Sequence, residues 1–402
     1  MAGAQQSPPN FGALKDLKVV EIGQLIAGPF AGKCFADFGA HVIKIEPPEG
    51  DPLRKWRKLH NGTSVWWHVQ NRRKQSVTVN LRLAQGQALV RRLIADADVV
   101  IENFRPGTLE KWGLGYELLA KENPRLIMLR MSGFGQDGPY RDQTGFGSVG
   151  ESMGGLRYVT GFPDQPPVRP NISIGDALAA LHGVIGVLSA LHERERSGLG
   201  QVVDVALYEA VFNMMEGALP EYALFGAVRE REGTTLTGIV PSNTYTSADH
   251  KHIIVGGNGD SIFKRLMVLV GRPDLAEDPG LADNAGRVPR AGELDEAIGG
   301  WIARHDAEFV LKALSEAQVP AGKTYSIADI ARDPQYQARE MIREVQLADG
   351  TALKVPGVIP KLSRTPGDIG IGPELGEHTE QVLLAHGLSR DEITRLRADK
   401  VI

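Results

Sequence analysis

The chain has 402 residues, 42% of them hydrophobic, which is enough for a large core and for more than one domain. A formal net charge of −4 gives no ground for a nucleic-acid binder, although local basic clusters remain. No uninterrupted apolar run reaches the ~20 residues that span a bilayer. Met1–Pro9 lacks the basic and apolar regions of a leader, and the one cysteine, Cys34, excludes an internal disulfide, so the cytoplasm is the expected compartment.

Taken in chain order, Lys18–Ile22 reads as a buried strand. Gly28-Pro29 opens a helix, with proline at its tolerated first position, and Gly39 ends it. Cys34 falls in that apolar helical pattern, where a buried structural role suits it. His41–Glu46 is the next strand, and strand, helix, strand in this space implies a parallel βαβ unit. Strands are expected at Ser76–Leu81, Asp98–Ile101 and Leu126–Met131, with a helix at Gln85–Ala95. The first part is therefore an open α/β sheet.

Gly133–Gly155 is glycine-rich and polar, hence loop. A long helix then begins at Asp176. Leu178, Leu181, Ile185, Leu188 and Leu191 recur at the three-to-four spacing of a buried face, and Gly198 is its stop. Gln201–Val205 reads as a strand and Ala206–Glu216 as a helix stopped by Gly217. The pattern breaks from Pro220 to Thr237, a domain boundary. Thr244–Gly257 is a strand pair turning at Asp249-His250, followed by helices at Ser261–Val270, Ala291–Arg304 and Ala307–Ala317. From Tyr325 come a helix, a hairpin at Asp349-Gly350, a Pro/Gly-rich run from Val355 to Pro373, and terminal helices after Glu377.

Asp176 has two compatible readings. Aspartate is a good helix N-cap, because its carboxylate accepts first-turn N–H groups. The same helix end favours an ionised carboxylate, and one facing a cleft can attack an acyl carbon. Gly175 would let a substrate approach the backbone.

The other motifs exclude more than they assign. Gly133–Gly138 and Gly145–Gly150 both match G-x-G-x-x-G but lack the strand-then-helix context of a dinucleotide site. Glu46 mimics a ribose-binding acid without the glycine pattern before it. There is no G-x-S-x-G elbow, no H-E-x-x-H, no Cys/His cluster and no P-loop, so no metal is expected. His182, six positions after Asp176, falls towards the far side of the helix and suits packing or a satisfied hydrogen bond. Basic residues gather at Arg54–Lys58 and Arg72–Lys74, with Arg105 and Lys111 later. They are either solvated surface or donors to a phosphate-bearing ligand at the strand ends. Trp56, Trp66 and Trp67 could stack on a base or fill the core. Gly256–Asp260 is either a simple turn or a set of backbone donors for an oxyanion.

Seen together, several segments resemble the family III CoA-transferases, the group that contains formyl-CoA transferase and carnitine CoA-transferase. They are Leu25–Pro29, Val42–Glu46 with Gly50-Asp51, Asn71–Lys74, Glu102–Gly107 with Gly113–Tyr116, Ser132–Gly135, Gly175-Asp176 and Gly200–Val205. The resemblance runs through almost the whole chain. It implies a Rossmann-like large domain (1–220), a smaller α+β domain (221–325) and a C-terminal segment (326–402) that returns to the large domain. It also implies an interlocked homodimer. Asp176 would be the nucleophile. Ile26, Ala27, Asn71, Arg72, Arg73, Lys74, Asn103, Phe104, Arg105 and Lys111 would line the CoA site. Gly257, Asn258 and Gly259 would form the glycine loop over the active site, with Phe146 near the substrate. CoA thioester is then a substrate, with no permanently bound cofactor, and no nucleic acid or membrane is expected as a partner. Formyl-CoA transferase has a glutamine where Ile26 stands and a tyrosine near Phe146, which argues against an oxalate-type substrate. The related 2-methylacyl-CoA racemases pair the same aspartate with an upstream histidine. Here that region reads Thr144-Gly145-Phe146, and racemisation needs two acid/base groups, so transfer is favoured.

Overall fold

A computed structural model describes residues 12–402; the N-terminal stretch read above for a leader lies outside them. The chain divides into two compact units. The first runs up to Leu156 and takes in Pro170–Glu216 and Gln337–Ile402. The second is Arg157–Arg169 with Gly217–Tyr336.

The first unit is built on six parallel strands: β1 (Lys18–Glu21), β2 (His41–Glu46), β3 (Gln75–Thr78), β4 (Val99–Glu102), β5 (Ile127–Ser132) and β6 (Val202–Ala206). Their order across the sheet is β3-β2-β1-β4-β5-β6. Side chains alternate between two buried faces, as a strand's two-residue period demands. Val19, Val42, Ile101 and Leu129 enter one core, while Val20, Ile45, Val100 and Met128 enter the other. The helix α1 (Ala27–Asp37) covers the first face. The second face is covered by the helix Ala84–Ile94 and by Val382, Leu383, Leu388 and Ile393 of the C-terminal segment. Because α1 opens at Ala27, Pro29 is its third residue instead of its first, still within the turn whose N–H groups have no helical partner.

Two stretches are more ordered than their composition suggests. The glycine-rich run expected to be loop contains the helix α2 (Gly147–Met153). The expected break after Pro220 is crossed by a helix, Ala218–Phe225, with the proline in its first turn. Conversely, the helix after β6 stops early and covers only Leu207–Phe212.

The long helix α3 (Ile174–Ser197) forms as expected, and Leu178 and Leu191 of the expected face pack against the core, but the middle of that face turns outwards. Leu181, Ile185 and Leu188 are 45%, 62% and 42% exposed, whereas Ala179, Ala180, Gly183, Val187 and Ala190 are buried. The reason is distance. A Cβ at Gly183 would lie 2.8 Å from the Leu129 side chain, and one at Gly186 only 2.5 Å from Val203. Small residues bring the helix axis down onto the sheet, so the bulky ones must face outwards. By length and composition α3 could cross a bilayer, although no uninterrupted apolar run suggested it. Here its small-residue face is a core face.

In the second unit, Ser242–Thr246 and His252–Gly256 pair antiparallel, and Ala321–Lys323 adds a third strand. Phe263, Leu266, Leu294, Ile298, Val310 and Leu314 pack its core.

Candidate active site

The strand order reverses between β1 and β4, which in an open α/β sheet leaves a crevice at the carboxyl ends of the two strands. Asn103, after β4, clasps the loop after β1: its Oδ1 accepts from the Gln24 N–H at 2.7 Å and its Nδ2 donates to the Gln24 carbonyl at 2.8 Å. A cleft of about 370 Å³ opens beside them, lined by Gln24, Pro47, Val79, Leu81, Phe104 and Trp112 among others. Phe104 meets Trp112 edge-on at 5.2 Å. Arg105 and Lys111 are exposed in the segment after β4.

Asp176 belongs to the same sheet edge. A chain of close glycine contacts links them. A Cβ at Gly133, just after β5, would lie 2.8 Å from the Gly145 Cα. Two residues on, α2 begins at Gly147, where a Cβ would lie 2.0 Å from the Asp176 Oδ2. The Arg105 guanidinium donates to the Thr144 hydroxyl, tying the β4 loop to this segment. Of the two places expected for Asp176, N-cap or first turn, it takes the first turn. Ser173 holds the N-cap, Asp176 is the third residue of α3, and its half-buried carboxylate lies flush against a glycine of α2. Phe146, immediately before α2, is 64% exposed.

Glu151 was not legible as part of the site. It is fully buried on α2, and its Oε1 is 3.5 Å from the Gly175 N–H of the α3 first turn. The signal was there only in hindsight of the helix: Gly147 and Glu151 are four apart, hence on one face of α2.

The basic clusters divide: Lys55, Arg57 and Lys58 are exposed, whereas Arg54, Arg72 and Lys74 are internal. Arg72 is fully buried and grips the Asp37 carboxylate with two bonds of 2.6 Å. The Lys74 ammonium lies 2.7 Å from Glu21, and burial draws its pKa down to about 8 against that carboxylate's pull. Asn71 is buried and accepts from Lys74 at 2.9 Å. Arg54 pairs with Glu46 at 2.7 Å, which also removes Glu46 from any ribose role. These side chains do not present donors to solvent, contrary to their reading as phosphate ligands. Arg73 is partly exposed and bridges Asp368 at 3.0 Å. Ile26 and Ala27 are buried where α1 begins. Trp67 is core, beneath Arg54 at 3.7 Å, while Trp56 and Trp66 sit 6.5 Å apart nearer the surface. His182 is satisfied by the Leu178 carbonyl at 2.8 Å and by Asn213 at 3.0 Å. Burial raises the Cys34 thiol pKa, which suits a structural cysteine.

In the second unit, Gly257 cannot serve as an oxyanion donor as it stands, since its N–H is taken by the Pro241 carbonyl at 2.9 Å. Asn258 and Gly259 precede the helix Asp260–Leu269, and the Asn258 carbonyl accepts from Arg287 at 2.8 Å. Among the described residues no cluster of three or more His, Cys, Asp or Glu could hold a metal ion.

The carboxyl end of β4 carries a titratable brace. Glu102 accepts from Arg130 at 2.8 Å and from the Phe104 N–H at 2.7 Å. Burial pushes its pKa up to about 7 despite Arg130. A carboxyl whose folded value is raised stabilises the fold below its unfolded value, and that contribution is lost as pH climbs through 7. Unfolding free energy should thus fall between pH 5 and 7.5, by about 3 kcal/mol from this group. Urea titrations should show the decline in the native protein and a flatter profile in Glu102→Gln; an unchanged slope in the variant refutes the assignment.

The sequence model of CoA-transferase family III matches residues 14–379. A succinyl-CoA–D-citramalate CoA-transferase of Chloroflexus aurantiacus is 48% identical over 403 residues, covering 99% of this chain and 100% of the relative. The α subunit of a succinyl-CoA–L-malate CoA-transferase from Chloroflexus aurantiacus is 40% identical, covering 100% of this chain and 94% of the relative. Among solved structures, a CaiB/BaiF family protein from Brucella suis superposes with a TM-score of 0.82 at 34% identity, over 94% of this chain and 100% of that one. With the model matching most of the chain and these relatives covering nearly all of it, the chain belongs to CoA-transferase family III.

Proposed function

We propose that the enzyme moves CoA from succinyl-CoA to a small free carboxylic acid, with Asp176 as the covalent relay. The donor follows the relatives, whose names specify succinyl-CoA. Their acceptors, citramalate and malate, make a dicarboxylic acid the first choice here. The observation that carries the reading is the Asp176 carboxylate lying against the bare Cα of Gly147 at the crevice edge, where no side chain of that residue shields it.

The Asp176 carboxylate oxygen attacks the thioester carbon, and the CoA thiolate leaves as the mixed anhydride forms. The thiolate then attacks the Asp176 carboxyl carbon. That breaks the anhydride C–O bond, frees succinate and leaves an aspartyl-CoA thioester. The acceptor carboxylate attacks this thioester and expels CoA, which finally attacks the acceptor's acyl carbon and restores Asp176. One thioester replaces another, so the exchange is close to thermoneutral. The nucleotide end of CoA is assigned to the β1/β4 crevice, with Phe104 and Trp112 as its apolar wall and Arg105 and Lys111 as cations for its phosphates. Ile26 and Ala27 form the floor where α1 starts. Arg73, on the loop before β3, is the one member of the second cluster with solvent access.

A homodimer is part of the reading. Leu181, Ile185 and Leu188 form a row of exposed aliphatics on α3, spaced to share one helix face. Such a row suits a second copy of the chain better than water.

Each turnover leaves one acceptor oxygen in Asp176. Mass spectrometry after turnover with succinyl-CoA and ¹⁸O-carboxyl-labelled acceptor should find the label in the peptide carrying Asp176, and a CoA adduct there when the acceptor is withheld. Active enzyme with an unlabelled peptide overturns the mechanism; a panel of acids ranks the acceptors.

A further inference from the structure

Between β1 and α1 the backbone runs through Gly23, Gln24, Leu25 and Ile26 without regular structure, at the mouth of the crevice. Side chains satisfy it almost group by group. The Lys44 ammonium donates to the Gly23 carbonyl. Asp51 accepts the Leu25 N–H with both carboxylate oxygens, at 3.1 and 3.2 Å. Gln70 donates to the Ile26 carbonyl at 3.0 Å. Lys74 donates to the Pro29 carbonyl at 2.7 Å.

The groups that do this are buried charges bound to one another. Lys44 bridges Glu21 at 3.0 Å and Asp51 at 2.8 Å, and Lys74 bridges the same Glu21 at 2.7 Å. Two cations face two carboxylates, and none of the four is more than 3% exposed. α1 makes room for the cluster with Gly32, where a Cβ would lie 1.8 Å from the Glu21 Oε2. Burying four charges is costly, and apolar residues of similar volume commonly give equal or greater stability. What apolar residues cannot do is hold the Gly23 and Pro29 carbonyls and the Leu25 N–H at fixed points, as these charges do beside the neutral Gln70. The turn needs holding, because Leu25 has φ +64°, a left-handed conformation that a leucine keeps only when its surroundings impose it.

We infer that Lys44 and Asp51 are positioning residues for CoA: through the cluster they share with Glu21 and Lys74 they set the Gly23–Ile26 turn in its binding shape, without touching the ligand. The inference rests on CoA occupying the β1/β4 crevice. It reassigns Lys74 and Asn71 from ligand contacts to the frame beneath the turn.

The test uses the charge-neutral pair Lys44→Met with Asp51→Asn in the full-length enzyme. Titration calorimetry with free CoA should show at least a tenfold weaker dissociation constant, and the Leu25 amide should lose its hydrogen-exchange protection. If the pair fails to fold, Asp51→Asn alone is read by the same two measurements, with a weakening of three- to tenfold expected. A folded variant that binds CoA within twofold of the native enzyme, with Leu25 still protected, overturns the inference. Failure of the native enzyme to bind CoA would instead refute the proposed function.

Discussion

Replacing Asp176 by alanine should abolish transfer, with kcat falling by roughly four to six orders of magnitude, the scale on which covalent enzymes lose rate when the nucleophile goes. In the proposed mechanism both half-reactions pass through this one carboxylate, so no residual route shares its work. The fold should survive. Alanine is the best helix former at an α3 position that is not the cap, and the helix start keeps Ser173 as its cap residue and Glu151 beside Gly175. CoA affinity should stay within about twofold, since the cleft is lined from the ends of β1 to β4 and the segments after them, and not by Asp176. Asp176→Asn should behave alike, because it keeps the shape and removes the nucleophile. Kinetics with succinyl-CoA, beside CoA titration and circular dichroism, separate these terms. A folded variant that retains more than about one part in a thousand of the native rate defeats the covalent role.

Gly147→Ala should be the next most damaging change, and for a different reason. The added Cβ would sit 2.0 Å from the Asp176 Oδ2 and 2.7 Å from its Cγ. No such contact is tolerated, so either the carboxylate turns away or α2 withdraws. Withdrawal would pull the buried Glu151 carboxylate of α2 off the Gly175 N–H, 3.5 Å away in the first turn of α3. The carboxylate should therefore turn. Misplacing a reacting group by about 1 Å costs on the order of 10²-fold in rate. The overpacking itself should cost about 1–3 kcal/mol of stability. The expected pattern is a kcat loss of about 10² or more with CoA binding retained. Native kcat in a folded Gly147→Ala enzyme would show that the carboxylate works from another position.

The legible parts of this fold were those governed by local periodicity. Each strand of the large sheet was found within a few residues, because a strand buried on both faces is a short apolar run between turn residues. The site was legible as the type of residue at one position, Asp176 at a helix start. Its setting was not. The α3 pattern pointed to Leu178, Leu181, Ile185, Leu188 and Leu191 as core; Leu178 and Leu191 do pack there, but between them Ala179, Ala180, Gly183 and Val187 carry the contact. Periodicity finds a face of uniform size and cannot say which of two faces meets the sheet. Glycines at Gly145 and Gly147 suggested loop, although Gly147 is the small residue that lets α2 meet α3 and Gly145 packs against Gly133. Arg72 and Lys74 looked like ligands because charge density is visible in a sequence and its burial partners, Asp37 and Glu21, are tens of residues away.

The return of Gln337–Ile402 to the first unit has a consequence for biogenesis. One face of the sheet, covered early only in part by the helix Ala84–Ile94, stays incomplete until Val382, Leu383, Leu388 and Ile393 have left the ribosome. At roughly 5–20 residues per second, the intervening segment takes on the order of ten seconds to synthesise. During that wait the second unit, contiguous apart from Arg157–Arg169, can finish its own core. The nascent sheet must meanwhile be shielded, by chaperones or by transient collapse, until a segment made long after its strands closes it.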